Sequence, residues 1–191
     1  MRADETVGPE LLDHPIAVSY GQPVDEARAL GIVDVRPRTG IRLTEYAFAP
    51  AVRFSLLYAL SLDHGLFDSF SELRNHMEFA FFHEAVVKLT PDDHAHLRTL
   101  VQQAWNKLEG DTVRIPHAEH RDLHLTIFSR LNNPFVRGLL EAYWDAYEAE
   151  GLSVFSDYDY LHEVWQYHDG IRSEEHTSEL QSRQYLVCRL L

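Results

Sequence analysis

Three histidines in one short stretch of the chain have the spacing of metal ligands. His117, His120 and His124 share an arc of roughly 80° if the stretch is helical, because a helix turns about 100° per residue. Ile127 and Phe128 lie on the same arc, so the imidazoles are expected to face the interior. Imidazoles at i and i+4 can reach one divalent cation, and neutral imidazole is the commonest protein ligand for zinc-like metals.

A second segment offers another imidazole to the same interior. Ser156 and Asp157 predict the start of a helix on which Val164, Trp165 and His168 share one face. Two helices that each direct histidine inward favour a metal site over histidines that are buried only for packing. The candidate ligands on these two helices are His117, His120, His124 and His168. An all-nitrogen set without thiolate favours zinc or nickel over magnesium.

An arginine and a glutamate occupy the apolar face of a long predicted helix. The helix is expected from about Phe70 to Leu89, with Asp68 and Ser69 as its N-cap region. Arg74 and Glu78 lie on the face that should be buried, so they need partners or a ligand. Mutual pairing at i, i+4 is the simpler interpretation, and ligand binding is the alternative.

Composition limits the class of protein. At 191 residues and 45% hydrophobic, the chain can form one or two domains with a substantial core. A single cysteine, Cys188, excludes a disulfide framework and fits a reducing compartment, so a cytoplasmic location is expected. No apolar run is long enough to span a membrane. A formal charge of −13 argues against general coating of nucleic acid.

One local region is basic. A short helix from Pro23 to Leu30 is followed by strand, turn and strand at 32–35, 36–40 and 41–43. Its candidate phosphate contacts are Arg28, Arg36, Arg38 and Arg42. On charge alone, a solvated hairpin and a DNA-binding wing are equally compatible with this pattern.

Helix signals dominate from Ala47 onward. Thr90-Pro91 and Asn133-Pro134 are each a cap residue followed by a proline start, and Gly151 is a helix end. Apolar residues begin this helical part: Phe54, Leu57, Tyr58 and Leu62. Aromatic residues at helical spacing are interpreted as core and not as a cofactor site: Tyr143, Trp144 and Tyr147.

The order of these features resembles the FadR subfamily of GntR transcription regulators, whose effector-binding half is the FCD domain. The resemblance covers roughly residues 20 to 171. GIVDVRPRTGIRL (31–43) is similar to the family's wing, LRNHMEFAFF (73–82) to its Arg-x-x-Leu-Glu helix, and HLTIFSRLNNPFVRGLLEAYW (124–144) to its Asn-Pro region.

The resemblance implies a mainly α fold, with a partial winged helix and β-hairpin wing before an all-α, FCD-like bundle. The expected domains are 1–46, the winged-helix fragment, and 47–171, the effector domain. Residues 172–191 resemble a translated sequencing adapter and are expected to be a non-native tail. On that expectation, the family's last helix and its fourth metal ligand are lost.

The resemblance also implies a homodimer that binds operator DNA, a divalent metal and a small carboxylate metabolite. The resemblance implies that the metal ligands are His120, His124 and His168, and His120 stands where the family has an aspartate ligand. Arg74, Glu78 and Asn133 are the implied effector-binding residues. Only seven residues separate Pro23 from Gly31, about one turn fewer than the family normally has, so operator binding is expected to be weakened or lost.

Two other functions remain open. One is a stand-alone metabolite-binding module without DNA binding. The other is a helical metalloenzyme, for which the sequence offers no convincing general base: Glu119 lies at the edge of the histidine arc and Asp122 lies opposite. We therefore predict that the protein is not an enzyme and has no catalytic residues.

Overall fold

A short basic segment precedes a bundle of long helices. The computed structural model describes residues 24–37, 40–110, 112–151 and 158–173. Helix α1 (Val24–Ala29) leads into an antiparallel hairpin of β1 (Val33–Arg36) and β2 (Gly40–Leu43). Six further helices follow in the described part of the chain: α2 (Ala49–Leu62), α3 (Leu66–Val86), α4 (Pro91–Leu108), α5 (His117–Ile127), α6 (Pro134–Ala149) and α7 (Tyr158–Ser173). The predicted fold class is confirmed.

The hairpin has the predicted position and a regular register. Val33 lies opposite Leu43, and Arg36 lies opposite Gly40. Gly40 has a φ of 81°, a left-handed conformation that glycine adopts without steric cost and that returns the chain into β2. Arg38 lies outside the described residues.

Local capping chemistry sets most helix starts. The Thr90 side chain accepts a hydrogen bond from the Asp93 backbone N–H, and the Asp93 side chain accepts one from the Thr90 backbone N–H, which forms a capping box at α4. Asn133 caps α6, and Gly151, with a φ of 73°, follows its end. These three boundaries are confirmed. Ser156 and Asp157 lie outside the described residues.

Helix α3 begins earlier than its sequence predicted. Its N-cap is Gly65 and its first residue is Leu66, whereas Asp68 and Ser69 were expected to form the cap region. A tight turn starts the helix, because the Gly65 backbone N–H donates to the Asp63 carboxylate and the Leu66 N–H donates to the Asp63 carbonyl. Asp68 therefore lies in the first turn, where its charge favours the helix dipole.

Two apolar clusters hold the bundle together. The larger joins α3, α4, α5, α6 and α7, and the smaller joins α2, α3 and α6 around Leu60, Phe67 and Trp144. In α2 the buried residues are Leu56 and Leu60. The residues predicted to begin this helix lie on its exposed face: Phe54, Leu57, Tyr58 and Leu62. None of the described helices is both long and apolar enough to cross a membrane.

Candidate metal and effector site

The bundle brings together three histidines from two helices. His120 and His124 lie one turn apart on α5, and His168 comes from α7. The His120 Nε2 atom is 3.3 Å from His124 Nε2 and 3.0 Å from His168 Nε2. All three side chains are buried, and their ligand atoms lie within 4.8 Å of one another. These are the three residues that the sequence assigned to a metal site.

The spacing of the three imidazoles fits a divalent cation. Two nitrogens that each lie about 2.0–2.1 Å from a tetrahedral zinc ion are roughly 3.3 Å apart. The two Nε2–Nε2 distances, 3.3 Å and 3.0 Å, are close to that separation. The residues present therefore fit a metal of the zinc type, which His120, His124 and His168 would hold through their ring nitrogens.

Burial keeps at least two of these rings in the form that binds metals. Removal from water lowers the pKa of His120 well below its ordinary value, and the neighbouring His168 and His124 lower it further. Burial, followed by His124, lowers the pKa of His168 to about 3. Both rings are consequently neutral at neutral pH, and a neutral imidazole carries the lone pair that a metal requires.

Two buried tryptophans flank the triad. The Trp144 ring centroid on α6 is 5.1 Å from that of His120 and 5.5 Å from that of His124, and the Trp165 centroid on α7 is 5.2 Å from that of His168. Within the described part of the chain, neither indole N–H has a hydrogen-bond partner. The sequence assigned Trp144 to the core, and its spacing gave no sign that it also borders the histidines.

A buried ion pair stands beside the triad. Arg74 Nη1 donates to Glu78 Oε2 at 2.8 Å, and Arg74 Nη2 donates to the Tyr143 hydroxyl at 3.3 Å. The guanidinium also lies 4.4 Å from the Tyr143 ring centroid. The predicted i, i+4 pairing is confirmed. Neither charged side chain is more than 1% exposed.

The same glutamate also contacts a histidine of the triad. Glu78 Oε1 is 2.9 Å from His124 Nδ1, so one carboxylate joins Arg74 to His124. Burial alone would raise the pKa of Glu78, but the charge of Arg74 and the contacts with His124 outweigh it and lower the pKa to about 2. Glu78 is therefore an ionised bridge between α3 and α5, a contact that the sequence did not predict.

Asn133, which was predicted to contact the effector, and His117, which was predicted to face the interior, have contacts outside the triad. The Asn133 side chain accepts hydrogen bonds from the Phe135 and Val136 backbone N–H groups, as a helix cap does. His117 is half-buried and stacks on Tyr147 with a centroid distance of 5.3 Å. The structure places neither residue in the histidine triad.

The carboxylate that precedes His120 in sequence is engaged with a lysine. Glu119 lies 2.6 Å from the Lys107 amine, and the Glu119 side chain is 10% exposed. A general base must lie within hydrogen-bond reach of the proton that it takes, and the contacts of this carboxylate are with Lys107. This pairing weakens the interpretation of the site as a hydrolytic metal centre.

The described arginines of α1 and the hairpin are exposed or half-buried, unlike the buried histidines of the triad. Arg28 is exposed in the last turn of α1, and Arg42 is half-buried on β2. Arg36 is exposed and pairs with Asp34 at 2.5 Å. The structure therefore leaves Arg28 and Arg36 at the surface, where a phosphate could reach them.

Comparison with known families identifies the helical part. Residues 69–172, more than half of the chain, match the FCD domain. The chain belongs to the FCD domain family. FCD domains are the effector-binding domains of GntR-type transcription regulators, which are not enzymes, and they are often associated with metals. No curated protein and no solved structure matches the chain. All three histidines of the triad, Arg74 and Glu78 lie within the FCD match, whereas α1, the hairpin and α2 precede it.

Proposed function

We propose that this FCD protein is a metabolite-responsive transcription regulator of the FadR subfamily, with its effector domain at 47–171. In this proposal a divalent metal, zinc or nickel, is held by His120, His124 and His168. The observation that carries the proposal is the convergence of three buried imidazole nitrogens at 3.0 and 3.3 Å, beside a buried arginine.

A small carboxylate is the effector that this chemistry suits. A bound divalent cation supplies positive charge for carboxylate oxygens. Among the five N–H groups of Arg74, the Nε–H has no acceptor in the described part of the chain. In a water-excluded interior, a charge-assisted hydrogen bond from this group is strong and fixes the orientation of the ligand.

The packing of α2 could couple a conformational change at this site to the hairpin. Helix α2 follows the hairpin and packs on α6, which carries Trp144 and Tyr143 beside the site. The approach is close, because a Cβ at Gly138 would lie 2.7 Å from the Ala49 backbone nitrogen. A shift of α6 on effector binding would therefore displace α2. The displacement of α2 would favour one arrangement of the hairpin over another.

The proposed output is a homodimer whose hairpin arginines contact operator phosphates, with affinity that is weak or lost in this chain. The proposed contacts are Arg28, Arg36, Arg38 and Arg42. A stand-alone metabolite-binding module is the alternative, and it is compatible with the location of the whole triad within the FCD match.

The test combines metal analysis, thermal denaturation and DNA binding of the full chain. We expect stoichiometric zinc or nickel, and an increase in Tm with small carboxylates that requires the metal. Salt-sensitive binding to duplex DNA supports the regulator, whereas a metal-dependent Tm increase without DNA binding at low salt supports the stand-alone module. Protein that takes up no zinc or nickel from metal-supplemented medium contradicts the metal site.

A further inference from the structure

We propose that Glu78 is a positioning residue, which holds His124 in the tautomer that leaves Nε2 free to bind metal. The inference deepens the proposed function and rests on its metal site. Both carboxylate oxygens of Glu78 are engaged within the protein, Oε2 with Arg74 and Oε1 with His124.

The hydrogen-bond inventory of the three side chains determines the tautomer. Arginine can only donate hydrogen bonds, and an ionised carboxylate can only accept them. Glu78 therefore accepts from Arg74 at Oε2 and from the Nδ1–H of His124 at Oε1. A neutral His124 with its proton on Nδ1 has its lone pair on Nε2, the atom that lies 3.3 Å from His120 Nε2.

His168 lacks the support that His124 receives. The Nδ1 atom of His168 is buried and has no hydrogen-bond partner among the described residues. A carboxylate that receives the second ring N–H of a metal-binding histidine fixes the orientation of the ring and raises its basicity. Glu78 supplies this contact to His124, from a different helix.

The isosteric change Glu78→Gln reverses the expected tautomer. The single carbonyl oxygen of glutamine would face Arg74, because turning the NH₂ group toward a guanidinium would place two donors together. The NH₂ group would then face His124 Nδ1, which would have to accept. The ring proton would move to Nε2 and block the atom that binds metal.

The first measurement reports the tautomer without metal. Ring nitrogen shifts of metal-free protein, recorded by long-range ¹H–¹⁵N NMR, are expected to show an Nδ1–H tautomer for His124 in the wild type. Glu78→Gln should show the Nε2–H tautomer. Glu84→Gln is the matched control, since Glu84 lies on the same helix, is exposed and pairs with Lys88, and it should resemble the wild type.

The second measurement is zinc affinity by competition with a chromophoric chelator. Loss of an outer-shell partner typically lowers metal affinity about 10- to 100-fold, and we expect this loss for Glu78→Gln but not for Glu84→Gln. The double variant Arg74→Met/Glu78→Gln should recover affinity, because its glutamine oxygen is free to accept from His124. A merely structural role of Glu78 does not predict this recovery.

A pair of double variants keeps the test valid if Glu78→Gln does not fold. Arg74→Met/Glu78→Gln and Arg74→Met/Glu78→Met both remove the buried guanidinium, and they differ in whether residue 78 can accept a hydrogen bond. The methionine version should bind zinc about 10- to 100-fold more weakly.

The possible failures are distinguishable. A wild-type His124 with its proton on Nε2, or equal zinc affinity of the paired variants, overturns the role of Glu78. A wild type that has the Nδ1–H tautomer and binds no zinc overturns the metal site of the proposed function, while the tautomer assignment to Glu78 is supported.

Discussion

The helical body and the hairpin differ in how far their ion pairs are exposed to water. In the body, Arg74 and Glu78 form an ion pair of 2.8 Å with exposures of 0% and 1%. In the hairpin, Arg36 and Asp34 form one of 2.5 Å with exposures of 68% and 39%. The distances are similar, but water screens only the second pair, so the same contact has different energetic consequences in the two regions.

This difference also separates the two proposed functions. In the body, Arg74, Glu78 and His124 contact one another within the chain, and their geometry already defines a candidate site. The exposed arginines of the hairpin acquire a function only when a second molecule approaches them. The structure of a single chain therefore defines the proposed metal site more completely than the proposed DNA contacts, and variants in the two regions should differ in both size and kind of effect.

The largest effect on stability is expected from Arg74→Met. This change strands the Glu78 carboxylate in the interior, and breaking a buried pair by removing one partner typically costs about 3–5 kcal/mol. Urea denaturation of the metal-free protein should show this loss. The control is Arg53→Met, which breaks a half-exposed pair with Asp145 at 3.4 Å and should cost about 0–1 kcal/mol. Equal losses of unfolding free energy in the two variants would contradict the proposed difference between the buried and the exposed ion pair.

The second effect is the loss of metal-dependent stabilisation in His124→Ala. A ligand at a hundred times its Kd stabilises the folded state by about 2.7 kcal/mol, and removal of a central donor should abolish most of this gain. Calorimetry with and without zinc measures the difference. His94→Ala is the control, since His94 is exposed on α4 and should leave the zinc-dependent gain unchanged. An unaltered zinc response in His124→Ala would exclude this residue as a ligand.

Sequence reasoning worked where the physics is local. The start of α4 was predictable because Thr90, Pro91 and Asp93 lie within four residues of one another and define the cap by themselves. The start of α3 was not, because the turn at Asp63 and Gly65 competes with the later Asp68 as a helix start, and the sequence does not rank the two. The start of a helix can thus be predicted from sequence where only one capping arrangement is available.

The site was predictable in part for a related reason. Helical spacing placed His120 and His124 on one face, and a second helix directed His168 inward. The contact between Glu78 and His124 joins α3 to α5, and it depends on how those helices pack and on which rotamers fit. Periodicity reports which face of a helix is buried but not which side chains meet there.

A smaller effect is expected from Thr90→Ala, which changes a polar group in the body without touching the site. Loss of an N-cap side chain typically costs about 1 kcal/mol, here through the Thr90 hydrogen bond with the Asp93 backbone. Urea denaturation should show this decrease in both metal-free and zinc-loaded protein, with zinc affinity unchanged. A change in zinc affinity would show that α4 and the triad are coupled more tightly than their separate contacts indicate.

The smallest effect on stability, about 0–0.5 kcal/mol, is expected from Arg36→Ala in the hairpin, because its ion pair with Asp34 is exposed. Its effect on DNA binding should be larger. Each phosphate contact contributes about −0.9 to the slope of log affinity against log salt, so the loss of one contact should reduce the magnitude of that slope by about 0.9. Fluorescence anisotropy with a labelled duplex at several salt concentrations measures it.

Asp34→Asn tests the same DNA contact as Arg36→Ala by the opposite change in local charge. It removes the acidic group that Arg36 now contacts and frees the guanidinium for a phosphate, so duplex affinity should increase where Arg36→Ala decreases it. Opposite changes in affinity with nearly unchanged stability would locate DNA contact at the hairpin. If both variants bind duplex as the wild type does, the arginines are a solvated surface, and the stand-alone metabolite-binding module becomes the better account of the chain.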